Sequence, residues 1–173
     1  MLSTPAAGEF GAHFGHYIGL VADRDVLTQL NDNQTQLTSL YTELTTEQSL
    51  FRYASGKWSL KEVLGHIVDT ERIMSYRMLR IARGDQTPLP GFEENDYVAA
   101  ADFDSRSIQE LLGGYIAVRA ATVSLITSIA AEAWTRQGVA SGTGMSARAF
   151  AYVIAGHERH HLNIIQERYL TAL

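Results

Sequence analysis

Toward its C-terminal end the chain reads Ala155-Gly156-His157-Glu158-Arg159-His160-His161. Residues four apart on a helix leave the same face one turn above the other, so His157 and His161 offer two imidazole nitrogens to one point. A helix holds a divalent cation in this way. A third imidazole, His66, lies far upstream in another helical segment. Function turns on whether these three meet.

The run also spells H-E-x-x-H, which in zinc peptidases supplies two ligands and a glutamate base. Here Glu167 is the sole carboxylate downstream of His161, and a third ligand on another helix implies a bundle site rather than a peptidase cleft. Glu158 and His161 fit half of a di-iron bundle motif. That site needs a second Glu-x-x-His, and three residues before His66 stands Val63. Both readings are disfavoured.

Projection of this helix at about 100° per residue puts His157 in the centre of a stripe made by Phe150, Val153, Ile154 and Ile164. His161 falls about 40° to one side and His160 about 60° to the other. A lone inward histidine is usually a hydrogen-bonded core residue. Several on one apolar stripe cannot easily satisfy one another, and a divalent cation resolves that conflict. On spacing alone His160 remains a rival ligand. Glu158, about 100° from His157, is either the nearest base or a solvated side chain.

Four helical segments must position these groups. The first carries Leu27, Leu30, Gln34, Leu37, Tyr41 and Leu44 at alternating three and four residues, a seam suited to bundle packing. The second opens at Ser59 with Glu62 completing a capping box, and ends near Arg83 before Gly84. The third runs from about Ser105 to Ala131, and the fourth begins near Ser146. A long connection, Gly84 to Asp104, joins the second to the third and contains Pro88, Pro90 and Gly91. Gly138 to Gly144 reads as a breaker, and no strand alternation extends beyond a few residues. The fold class expected is all-α, a four-helix bundle in a single domain over 1–173, with residues 1–19 an extension adding a short helical turn.

Composition narrows the chemistry. The net charge is −5, and no block of lysines or arginines exists to neutralise phosphates, which argues against nucleic acid. With no cysteine, a metal site must use His, Asp or Glu. No run of about eighteen apolar residues and no signal pattern is found, so the expectation is a soluble cytoplasmic protein with no membrane partner. His13 and His16 sit in a Gly-rich lead segment and read as exposed. Trp58 and Trp134 read as covers over the core. Asp69, one turn after His66, is either an orienting partner for an imidazole or part of a solvated face.

Lys57-Trp58-Ser59-Leu60-Lys61-Glu62-Val63-Leu64-Gly65-His66, taken with Gly156-His157-Glu158-Arg159-His160-His161, resembles the DinB-like or YfiT-like metal-dependent hydrolase superfamily over nearly the whole chain. Glu71-Arg72 to Tyr76-Arg77 and Leu89-Pro90-Gly91-Phe92 are similar to one bacterial subgroup. The resemblance implies an up-up-down-down style bundle, commonly a homodimer, with one divalent metal held by His66, His157 and His161. Zinc or nickel is the expected ion, with iron or manganese as further options. It also implies a small-molecule substrate, hydrolysed or joined to a low-molecular-weight thiol; the alternative is a non-catalytic, metal-stabilised bundle. Asp96, Tyr97 and Arg119 are the candidates for substrate contact.

Overall fold

The computed structural model describes residues 2–173, so Met1 of the expected extension lies outside the described residues. A 3-10 turn at Ala12–Phe14 leads into α1 (Gly15–Gly19), followed by α2 (Val26–Glu43) and the short α3 (Thr46–Ser49). Then come α4 (Leu60–Ala82), α5 (Glu94–Ala101), α6 (Ile108–Ser128), a hairpin of β1 (Gln137–Ala140) and β2 (Thr143–Ser146), and α7 (Ala147–Ile164). A π-helical turn, Ile165–Tyr169, closes the last helix.

Polar side chains set the long helix starts. Ser59 accepts from the Glu62 amide while Glu62 accepts from the Ser59 amide, and Ser107 with Glu110 repeats this box at α6. Asp25 and Ser146 cap α2 and α7. At the other end of α4, Gly84 takes the left-handed conformation (φ 81°) that lets the chain turn out of the helix.

The four long helices pack as a ring in which α2 adjoins α6 and α7, and α4 adjoins the same two. The core is divided into two apolar halves. One gathers Leu30, Met74, Met78, Ile126 and Phe150; the other gathers Leu37, Leu64, Ile67, Leu112 and Leu162. Between them every long helix contributes a buried polar residue: Asn33, Glu71, Arg119 and Glu158. A polar layer therefore crosses the waist of the bundle, where burial requires every group to find a partner.

The expected four-helix bundle is the architecture observed, with two additions. The connection from Gly84 to Asp104 contains α5, whose single buried residue, Val98, leaves no periodic apolar stripe to read. The Gly138 to Gly144 breaker is an antiparallel hairpin, turning at Ser141 and Gly142 with φ of 52° and 74°. Four-residue strands are too short for alternation to stand out. Leu89 joins β1 through a parallel bridge, which fixes the long connection to the bundle.

The lead segment is integral to the core: Phe14, Ile18 and Val21 are buried. A Cβ added at Gly156 would lie 2.0 Å from the Tyr17 carbonyl oxygen, so α1 rests directly on the backbone of α7 just before His157. Among the described residues α6 is the one helix long and apolar enough to cross a membrane by length and composition. It carries the buried Arg119 and packs on α2 and α4.

Candidate metal centre

His66 comes from the first half of α4, and His157 and His161 from α7. The structure brings all three together. Nε2 of His157 lies 3.0 Å from Nε2 of His66 and 3.2 Å from Nε2 of His161, and one ligand atom from each residue falls within 4.8 Å of the others. His66 and His157 are buried and His161 is partly exposed.

Burial holds these imidazoles neutral. It lowers the pKa of His66 to about 4, and pushes His157 and His161 well below the ordinary histidine range, with the neighbouring rings adding to the effect. At neutral pH each ring has a lone pair to give, but three facing nitrogens have few protons to share. The donor set therefore fits a divalent ion: neutral nitrogen ligands, mutually close, without a carboxylate or thiolate among them.

The walls come from four elements. Trp58, just before α4, lies against His66 with ring centroids 4.6 Å apart. Tyr17 of α1 meets His157 edge-on at 5.4 Å. A cavity of ≈ 240 Å³ opens beside His161, lined also by Tyr53, Lys57, Trp58, Glu94 and Tyr169. The Tyr169 hydroxyl donates to the Trp58 carbonyl at 2.7 Å, tying the π-helical turn to the loop that carries Trp58.

The other histidines lie outside this cluster. His160, the rival ligand, faces away, its Nδ1 standing 3.2 Å from Nε2 of His16. His13 and His16 are exposed as expected. Trp134 packs on the core, also as expected.

Glu158 is neither solvated nor a base beside the cluster. It is 1 % exposed, accepts from the Tyr115 hydroxyl, and accepts from Arg119 Nη2 at 2.6 Å. Arg119 also donates to both oxygens of Glu71, at 3.0 and 2.8 Å, and to the Leu30 carbonyl at 2.6 Å. Burial disfavours its charge, but Glu158 and Glu71 outweigh that and hold the guanidinium protonated. Arg119 is thus a buried tie among α2, α4, α6 and α7, not a substrate contact. A lone Arg within an apolar stripe was the available signal, since burial of such a charge demands carboxylate partners.

The remaining candidates lie away from the imidazole cluster. Of the two readings for Asp69, the solvated face is the one observed: it pairs with the exposed Arg72 at 3.0 Å. Asp96 and Tyr97 are exposed on α5 and line, with Asp69, a shallow groove distinct from the cavity at His161. Tyr17 and Glu94 were missed; neither has a spacing pattern that links it to a histidine far away in sequence.

Comparisons agree with this arrangement. A protein of Oceanobacillus iheyensis, named as a candidate metal-dependent hydrolase, is 26% identical over 141 residues, spanning 79% of each chain. The fold is similar to that of YfiT from Bacillus subtilis, described as "a probable metal-dependent hydrolase with an unusual four-helix bundle topology": the TM-score is 0.76 at 14% identity, over 98% of this chain and 93% of that one. The sequence profile of the DinB superfamily matches residues 29–165, a span that includes α4 and α7 with all three histidines. The chain belongs to the DinB superfamily.

Proposed function

We propose that this protein is a metal-dependent enzyme acting on a small molecule, with His66, His157 and His161 holding one divalent ion, zinc or nickel before iron or manganese. The observation that carries the reading is the convergence of three neutral Nε2 atoms beside a cavity that His161 also lines. A buried triad closed on all sides would fit a purely structural ion; an open side fits turnover. When bound, such an ion supplies Lewis acidity, lowering the pKa of a bound water toward about 7 or favouring the thiolate of a bound thiol. Hydrolysis and transfer of a low-molecular-weight thiol are both compatible with that centre. The names of the relatives support hydrolysis. The chain's own residues orient and exclude water: Trp58 and Tyr17 cover the rings of His66 and His157, while Arg119 and Glu158 fix α7 against α4.

Protein purified without a histidine tag is expected to carry about one equivalent of divalent metal, a stoichiometry set by one three-ligand site. His66→Ala should remove most of it and His13→Ala none. Loaded protein is then screened against simple esters and amides, and against small thiols paired with electrophiles. No retained metal, together with no thermal stabilisation by Zn²⁺ or Ni²⁺, would end the metal reading; a loaded protein silent in both screens would leave the non-catalytic bundle.

The reading extends to a homodimer through α6. Gly113, Ile116, Ala117, Ala120 and Ala121 are exposed along it, and from Leu111 to Ser128 its only charged side chain is the buried Arg119. Ala120→Glu should convert a dimer into monomer in light scattering.

A further inference from the structure

Resting on the metal reading above, the cavity beside His161 carries information about what enters it. Its volume of ≈ 240 Å³ is below the common range for ligand pockets, about 300–1,000 Å³, and equals the space of about eight liquid waters. Its lining joins two opposite charges, Lys57 and Glu94, to the aromatic rings of Trp58 and Tyr169.

Neither charge is held by an ion pair, although Glu94 lies in the first turn of α5. The chain has only two lysines, and Lys61 is buried and donates to the Asp104 carbonyl at 3.0 Å. Lys57 and Glu94 are exposed residues of the cavity lining, and neither makes a side-chain hydrogen bond or ion pair among the described residues. They also do not pair with each other across the cavity, although most other cations of this chain are engaged. Partial burial, with the neighbouring Glu93 adding to it, raises the pKa of Glu94. A carboxylate at the rim of an aromatic-lined cavity suits an ammonium group, and a free lysine suits a carboxylate.

We propose that this cavity binds a small amphoteric molecule of the amino-acid type, its ammonium held by Glu94 and the aromatic rings and its carboxylate by Lys57. The two unpaired charges select for both groups on one ligand, and the small volume limits what else that ligand carries. The reacting bond is then presented toward His161.

Three probes of matched length separate the charges: L-norvaline, butylamine and pentanoate. Binding is followed by tryptophan fluorescence, to which Trp58 and Trp134 both contribute, and by calorimetry, on metal-free and zinc-loaded full-length protein. L-Norvaline is expected to bind at least about 10-fold more tightly than either single-charge probe in both forms, the scale of one charge-assisted contact. Lys57→Met should reduce L-norvaline to the level of butylamine, and Glu94→Gln to that of pentanoate. Both residues are exposed, so folding should be unaffected, checked by circular dichroism. Equal binding of the three probes overturns the proposal, as does a preference that survives both substitutions. A preference seen only with zinc present arises from chelation and also overturns it. A preference in metal-free protein that takes up no zinc supports the cavity assignment while sinking the metal reading.

Discussion

Arg119 Nη2 reaches Glu158 Oε2 at 2.6 Å, so the carboxylate flanked in sequence by His157 and His161 belongs to the ion-paired layer and not to the imidazole cluster. One helix thus presents two polar faces. His157 and His161 face His66, with His161 lining the cavity, while Glu158 anchors the helix to α6 and, through Arg119, to Glu71 on the helix that carries His66.

Removing the tie should cost stability and metal together. Arg119→Met leaves two buried carboxylates uncompensated, and the expected loss is about 3–5 kcal/mol by urea unfolding. Adding Glu71→Gln and Glu158→Gln should recover most of that loss, because the buried charge is gone. Metal affinity should stay weakened in the triple variant, since the packing that sets His66 against His157 has changed.

Stability of the metal-free protein should depend on pH through the histidines. The folded pKa of His66 is lowered to about 4, against 6.5 for the free side chain. Between those values the unfolded chain binds more protons, so this contribution is complete above about pH 6.5 and is lost as pH falls toward 4. Its size is roughly 3 kcal/mol, at 1.36 kcal/mol per pKa unit. His157 and His161 act in the same direction and extend the loss lower. Urea unfolding at a series of pH values checks this, and His66→Gln should flatten the curve.

His160→Ala separates sequence proximity from geometry. It neighbours His161 in the chain but faces His16. Metal content should be unchanged within error, whereas His161→Ala should lower it severalfold, as loss of one of three ligands requires. Similar loss from both would return His160 to the ligand set.

Gly156→Ala tests the seat of the lead segment. The new methyl would meet the Tyr17 backbone, which cannot rotate away as a side chain does. The expected cost is about 1–3 kcal/mol, with faster proteolysis within residues 12–19. Gly19→Ala, where nothing lies within 4 Å, is the control.

Much of this site was legible in the sequence because it rests on local periodicity. The i, i+4 pair His157 and His161, the capping box at Ser59 and Glu62, and the start near Ser146 follow from helix geometry and capping chemistry acting over a few residues, whereas the third helix, expected from about Ser105, is capped two residues later at Ser107. The absence of cysteine and the lack of a second Glu-x-x-His also limited the donor set without coordinates. What needed tertiary structure was every relation across helices: His66 meeting His157, Tyr17 covering it, Glu94 reaching the cavity at His161, and Glu158 turning to Arg119. Helical projection gives the direction of a side chain but not what stands opposite, because the partner comes from a segment whose distance along the chain carries no signal. Residue type and helical spacing mark which side chains could bind a metal; packing of α4 against α7 selects the ones that meet.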